Sequence, residues 1–276
     1  MARQEGIITL RGKLGNQVFY VSNGKNLVKG AGAPYLQPES SRKSSSEFGR
    51  GNAAAVLINK GFKPLIDLVG STRVIDRLKS ILIKIVNTGP IELKGKRQVT
   101  DGDVALLKGF QFNRYTSMDR LITISPSIQV DPGGELTVSL PKMRVKDMFY
   151  PPPKTIAAVL QFRCCIFYFD LKNGRFVMPE DLVIPLTKAT FPGGAFSLPI
   201  QDTGDCVLLL AWSIYFSPGD DLAPTMNRKY YAGSIIEAVN IVDGKVVSFQ
   251  YPEPVVITRH AETTNKAQWK MNEEDH

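Results

Sequence analysis

The feature that most constrains this chain is a succession of short β-prone segments between residues 155 and 258. Turn signals such as Lys172-Asn-Gly174 and Asp243-Gly244 separate the segments. Roughly seven strands at this spacing over about 100 residues are typical of a β-sandwich. The stretch Val207–Phe216 is apolar on both faces and predicts a central strand. The pattern therefore predicts an antiparallel Ig-like β-sandwich over residues 151–258.

The N-terminal residues predict a hairpin followed by an arm. Asn23-Gly24 separates two β-prone runs, and this dipeptide is a strong hairpin signal because a primed turn needs positive φ at both central residues. Residues 30–43 are rich in Gly, Pro and Ser, which favours an extended connector. We therefore expect a β-hairpin and an extended arm over residues 1–43.

Helical signals follow the arm. Ser44 and Glu47 fit a capping box, in which the two side chains satisfy free backbone N–H groups. Pro64 predicts a kink in the first helix. Apolar residues at helical spacing between 74 and 86 predict a second helix that packs on a core. A short third helix is expected to end near Lys108.

These segments define a mostly β, α+β fold class in five parts. Three prolines, Pro151–Pro153, predict a stiff boundary before the sandwich. The predicted division is 1–43 hairpin and arm, 44–109 helical segment, 110–150 β segment and linker, 151–258 sandwich, and 259–276 polar tail.

The positive charge of the chain is concentrated in its first part. The formal net charge is +8, and residues 1–120 hold 20 Lys/Arg against 9 Asp/Glu, whereas residues 121–276 hold 14 against 17. A basic half predicts contact with nucleic acid, with an acidic protein surface, or with the acidic half of another copy. The candidate contact residues are Arg11, Lys13, Lys25, Lys29, Arg42, Lys43, Arg50, Lys94, Lys96 and Arg97.

No complete catalytic group is visible in the sequence. The only two histidines are His260 and His276, at or within the polar tail, and zinc sites need Cys/His ligands at short paired spacing. The three cysteines lie in or beside apolar runs and are predicted to be buried, reduced thiols. Because Cys164 and Cys165 are adjacent on a strand, at most one of them faces Cys206. We therefore expect no enzyme activity, cofactor or metal.

Targeting signals are also lacking. The first residues contain no apolar segment of a signal peptide, and no stretch approaches the length of a transmembrane helix. We expect a cytoplasmic protein without membrane contact, and a location in a virion remains open.

The N-terminal motif resembles that of a known family. The chain carries Gly12-Lys-Leu-Gly-Asn-Gln-Val18 and then Gly24-Lys-Asn-Leu-Val-Lys29, with Lys29 where the family tends to have Arg. It also carries Phe169-Asp170 at a strand end and Gly204-Asp205 before an apolar strand. These motifs resemble a Bacteroidota family that is known only as a domain of unknown function. The resemblance implies an N-terminal hairpin and a C-terminal β domain, but no activity and no site.

Three functions follow as hypotheses. The first is a non-enzymatic structural or assembly protein that acts through protein–protein contacts as a homo-oligomer, because an isolated hairpin arm needs a surface to lie on. The second is a nucleic-acid-binding protein that uses the basic half. The third is a carbohydrate-binding module, which usually has exposed aromatic residues, whereas Trp212 lies in an apolar run and is predicted to be core. A cellular component and a virion component both remain open.

Overall fold

The structure is a computed structural model, and it describes most of the chain. The described residues are 2–3, 10–32, 36–131, 135–151, 155, 157–170, 172–199, 205–219, 222–224 and 227–251. The predicted polar tail, residues 259–276, lies outside them. Within the described residues the fold is mostly β with three α-helices, and every strand pairing is antiparallel.

The chain begins with a small antiparallel sheet. Its strands pair in the order β1-β4-β3-β2. Asn23 and Gly24 connect β3 to β4 with φ values of 50° and 74°, which confirms the predicted hairpin turn. The strands are β1 (Ala2–Arg3), β2 (Gly12–Leu14), β3 (Gln17–Ser22) and β4 (Lys25–Gly30).

The first predicted helix starts earlier than the sequence indicates. Helix α1 (Glu39–Gly61) follows Pro38, so Ser44 lies inside the helix and its hydroxyl donates to the carbonyl of Ser40 at 3.1 Å. The predicted capping box is wrong because α1 begins at Glu39, upstream of Ser44. The kink predicted at Pro64 is a division into two helices, since α1 ends at Gly61 and helix α2 (Lys63–Val69) begins with Pro64 in its first turn.

Helix α3 (Val74–Thr88) confirms the predicted amphipathic helix, and its apolar stripe is buried. The short third helix is a 3-10 helix, Val104–Leu107, and the Asp103 carboxylate caps it by accepting from the N–H of Ala105 at 3.1 Å. Among the described residues, no helix has both the length and the apolar character needed to cross a membrane.

The remaining strands form three sheets. A six-stranded sheet has the order β10-β8-β13-β14-β15 with β9 paired to β8, a three-stranded sheet has the order β12-β6-β5, and β11 pairs with β7. The strands are β5 (Ser127–Val130), β6 (Glu135–Leu140), β7 (Met143–Arg144), β8 (Ala157–Tyr168), β9 (Arg175–Val177), β10 (Leu182–Leu186), β11 (Thr190–Phe191), β12 (Gly194–Pro199), β13 (Cys206–Ser217), β14 (Ala232–Val242) and β15 (Lys245–Val247).

The six-stranded sheet is covered on both faces. Successive strand residues point to opposite faces, so Val207 and Leu209 of β13 pack with the helices, while Leu208 and Leu210 pack with the three-stranded sheet. The prediction of a central strand at Val207–Phe216 is confirmed. The helix-side core and the β-side core therefore share one sheet as their common wall.

The packing crosses the predicted boundary at Pro151–Pro153. Strand β6 lies before the prolines and pairs along its length with β12, which follows them. The helix-side core likewise joins α1 and α3 to strands β8, β13 and β14. Segments before and after the prolines therefore contribute to the same cores, because strands can pair whatever their separation in the chain.

Candidate interaction surface on the N-terminal sheet

The register of the N-terminal sheet sorts its side chains by charge. In an antiparallel pair, residues directly opposite each other point to the same face. Leu14 lies opposite Gln17, and Phe19 lies opposite Val28, which places them together with Val21 on one face. None of the residues that β2–β4 contribute to this face is charged. We call it the uncharged face: Gly12, Leu14, Gln17, Phe19, Val21, Asn26, Val28 and Gly30.

The uncharged face is accessible to solvent. The exposed fraction is 67% for Leu14 and 41% for Val21, and Phe19 and Val28 are half-buried. Neither core contains a described residue before Ala54, so the sheet lies outside both. Three or more strands with an apolar face normally gain stability by covering that face. The face has the properties of a contact surface.

The opposite face carries every lysine of β2–β4. Lys13 and Lys29 both lie opposite Val18, and Lys25 lies two cross-strand rows further along. Tyr20 shares this face, and the Lys29 ammonium lies 5.3 Å from the centre of its ring. We call this surface, which also includes Ser22 and Leu27, the lysine face. It combines cations with an aromatic ring, as surfaces that bind single-stranded nucleic acid do.

The candidate contact residues from the sequence fall into two groups. Arg11 is exposed immediately before β2, two residues ahead of Lys13. The other group lies on the first half of α1 and on the loop at residues 94–97, which contacts Glu47 and Arg50. Arg42 and Lys43 are exposed on the helix, and Lys43 pairs with Glu39 at 2.8 Å. Lys94 and Lys96 are exposed in the loop that contacts α1. The other two members of this group are Arg50 and Arg97.

Arg97 has a structural role in this second group. It is buried and pairs bidentately with Glu47, with Nε–Oε1 and Nη2–Oε2 distances of 2.7 and 2.9 Å. Its Nη1 donates to the carbonyls of Asn87 and Gly89. Burial raises the pKa of Glu47, but hydrogen bonds from Arg97 and from the N–H of Gly95 outweigh it, so the pKa lies below its usual value. The pair thus fastens the loop to α1.

A second buried ion pair, between Arg163 and Asp181, was not predicted from the sequence. Arg163 lies in the middle of β8 and its Nε donates to Asp181 Oδ1 at 2.8 Å, while Gln161 donates to Oδ2 of the same carboxylate. Arg163 also donates to the carbonyl of Gly61 at the end of α1. The signal in the sequence was a charged residue within an apolar strand, which needs a partner when buried. Asp181 could not be identified because it is distant in the chain.

Cysteine and histidine positions bear on catalysis. The three cysteines are buried and form no disulfide with one another, and Cys164 faces the β-side core with Cys206 while Cys165 faces the helix-side core. Burial raises the pKa of the Cys164 thiol to about 12, so the thiol is protonated at neutral pH. His260 and His276 lie outside the described residues. Within the described ranges, no cluster of three Cys, His, Asp or Glu residues could hold a metal.

Trp212 belongs to the β-side core, as the sequence predicted. Its exposed fraction is 4%, and its indole N–H donates to the hydroxyl of Ser234 at 2.9 Å. Trp269 lies outside the described residues. Trp212 is therefore not a surface for stacking a sugar.

Comparisons with known proteins give no family for this chain. No protein-family model matches it, and no curated protein matches it at a significant level. The resemblance of the N-terminal motif to the Bacteroidota family stays a prediction.

Proposed function

We propose that this protein is a non-enzymatic assembly protein that associates with a second copy of itself through the uncharged face of its N-terminal sheet. The observation that carries the proposal is that Leu14 and Val21 are exposed on a face without charge, in a sheet outside both cores. The β-rich remainder is the body that carries this sheet, and its Ig-like arrangement stays a prediction.

A second copy suits this face because of its charge pattern. A twofold contact brings the same residues of two copies together. Two uncharged faces meet without like-charge repulsion, and their side chains can interdigitate at the spacing of about 10 Å between packed sheets. Two lysine faces would repel each other. The proposed contact therefore leaves both lysine faces directed outwards.

The test is the oligomeric state at physiological salt, measured by sedimentation and light scattering across micromolar concentrations. We expect a concentration-dependent association that the double variant Leu14→Ser, Val21→Ser reduces at least tenfold. The matched control is Lys13→Ser, because Lys13 is the neighbour of Leu14 on the other face of the same strand. A strict monomer, or equal losses in both variants, would contradict the proposal.

A second candidate function is nucleic-acid binding by the lysine face. The observation that favours it is the presence of Lys13, Lys25 and Lys29 on one face with Tyr20. Binding would weaken steeply with salt, because each phosphate contact releases a counterion. For single strands, removing one lysine contact should reduce the slope of log K against log salt by about 0.7.

A gel-shift titration with single-stranded DNA and RNA separates the two functions. Lys13→Ser and Lys25→Ser should each reduce the salt slope while leaving association intact. The Leu14→Ser, Val21→Ser variant should reduce association and leave the salt slope unchanged. No binding to either nucleic acid at low salt would eliminate the second candidate and leave the first unchanged.

A further inference from the structure

A groove lies along α1 and is lined by residues of the helix, of the loop at Gln98 and of the segment after β8. Its cavity measures about 270 Å³, and four residues that follow β8 also line it: Phe169, Asp170, Lys172 and Gly174. Arg50, Leu57 and Lys60 line it from the helix, and Gln98 lies in the loop that also borders it. Arg50 and Lys60 are ten residues apart, which corresponds to about 15 Å along a helix.

The groove has an apolar floor with defined geometry. Leu57 and Phe169 are half-buried and pack against the helix-side core. The ring of Phe169 lies parallel to that of the fully buried Phe167, with an angle of 4° and 5.9 Å between the centroids. Ala53 adds a small apolar side chain to the lining. The floor is therefore held by the core and presents carbon atoms to a ligand.

The charged residues of the groove are unbalanced. Arg50, Lys60 and Lys172 line it, and Asp170 is the acidic residue among its lining residues. The Asp170 Oδ1 accepts the N–H groups of Lys172 and Asn173 at 2.6 and 3.2 Å, and these hydrogen bonds lower its pKa. Within the described part of the chain, the ammonium groups of Lys60 and Lys172 form no ion pair.

Arg50 is oriented but incompletely paired. Its Nη1 donates to the carbonyls of Gly95 and Arg97, both at 3.2 Å, which fixes the guanidinium. Its Nε is buried without a partner, and Nη2 has no hydrogen bond to any described residue. Because Nε is enclosed by protein atoms, Nη2 is the donor of this guanidinium that is left without a described partner. A charge-assisted hydrogen bond from a guanidinium N–H to a carboxylate oxygen is stronger than a neutral one.

We propose that this groove binds a small organic carboxylate whose acid group pairs with Arg50 and whose apolar part lies on Leu57 and Phe169. Lys60 and Lys172 raise the positive potential and attract the anion. The volume is slightly below the usual range for small-molecule sites, so the ligand is about the size of an aromatic acid. This site is independent of the proposed assembly.

The test is an NMR titration of the full chain with 3-phenylpropionate, observing the methyl signals of Leu57. We expect saturable binding in the millimolar range or tighter, as suits a ligand of this size. The neutral alcohol 3-phenylpropanol tests the apolar contact with Leu57 and Phe169. Inorganic phosphate tests the contact between an anion and Arg50. Phosphate binding as tight as that of the carboxylate, or alcohol binding as tight, would overturn the proposal.

Variants separate the site from general charge effects. Arg50→Gln should weaken binding at least tenfold, and the double variant Lys60→Gln, Lys172→Gln several-fold. The double variant changes only exposed side chains, so it keeps the test valid if Arg50→Gln disturbs the loop that Arg50 holds. Lys84→Gln removes an exposed charge of α3 outside the groove and should have no effect. Equal losses in all variants, or none in any, would refute the site.

Discussion

At the scale of single residues, Glu47 illustrates how a charge is accommodated inside this fold. Its carboxylate accepts two hydrogen bonds from Arg97 and one from the N–H of Gly95, which lies 2.6 Å away. Arg97 uses Nη1 to donate to the carbonyls of Asn87 and Gly89. Removing one partner of such a pair is costly because it leaves the other charge buried and unpaired.

The Glu47→Gln variant should therefore be less stable by about 3 kcal/mol at neutral pH. The folded-state pKa of Glu47 is depressed, so its contribution to stability is complete above the ordinary value of 4.5 and is lost as the pH falls below that value. Chemical denaturation of wild type and variant between pH 7 and pH 3 measures this difference, which should shrink at acidic pH.

Glu39→Gln is the matched control. Glu39 also pairs with a cation, Lys43, on the same helix, but its side chain is 71% exposed. Exposed pairs contribute little because water and salt screen them. We expect no measurable change in stability, and a loss as large as that of Glu47→Gln would contradict the structural role assigned to burial.

Gly24 provides a second prediction at this scale. Its φ of 74° is unfavourable for a residue with a β-carbon by about 1–2 kcal/mol. Gly24→Ala should weaken the N-terminal hairpin and reduce association, while the thermal transition of the two cores stays unchanged. Gly32→Ala is the control, because Gly32 lies beyond the end of β4, has no positive φ, and would place its added β-carbon in open space. Calorimetry and light scattering measure both effects; unchanged association with a disrupted hairpin would exclude the sheet from assembly.

At the scale of elements, the end of α1 lies unusually close to β8. A β-carbon at Gly61 would lie 2.8 Å from Cζ of Phe167, which is below any normal contact. Phe167 is fully buried and contacts the rings of Phe62, Phe169 and Phe176, so it cannot move aside. Glycine at position 61 thus sets the distance between the helix and the sheet.

Gly61→Ala should therefore destabilise the protein by about 1–3 kcal/mol, the usual cost of overpacking a core. Gly49→Ala on the same helix should have the opposite sign. Gly49 is exposed with nothing within 4 Å of its added β-carbon, and alanine is the better helix former by about 1 kcal/mol. Urea denaturation of both variants tests this contrast. Stabilisation by Gly61→Ala would contradict the close approach.

At the scale of the whole molecule, the six-stranded sheet joins two cores into one unit. Leu78 of α3 lies in the helix-side core, and Leu160 of β8 lies in the β-side core, yet β8 contributes residues to both. A substitution that loosens the packing of one core also disturbs the six-stranded sheet, against which the other core packs. The two cores should therefore unfold together.

Leu78→Ala and Leu160→Ala test this coupling. Each removes a fully buried side chain and should destabilise the protein by about 2–5 kcal/mol. Trp212 fluorescence, in a Trp269→Phe background, reports on the β-side core, and far-UV circular dichroism reports on the whole chain. In each variant, the unfolding transitions measured by the two probes should shift by the same amount. Leu36→Ala, at a site that is 95% exposed, should shift neither transition. A Trp212 transition unaffected by Leu78→Ala would indicate two independent domains.

The sequence by itself determined the local elements of this protein. Asn23-Gly24 specified its turn because positive φ at adjacent residues is a local requirement, and the period of the apolar residues in 74–86 specified α3. Val207–Phe216 specified a central strand because a strand that is apolar on both faces must be covered on both. The mostly β, antiparallel character followed from the turn-separated segments.

Tertiary structure alone decided which of these elements share a core. The pairing of β6 with β12 across Pro151–Pro153, and the partners of Arg97 and Arg163, join residues that are far apart in the chain. The sorting of Lys13, Lys25 and Lys29 onto one face likewise depends on register, which shifts every side chain to the other face if it slips by one residue. Local signals cannot encode such contacts, because long-range pairing is selected by the total burial of the folded chain.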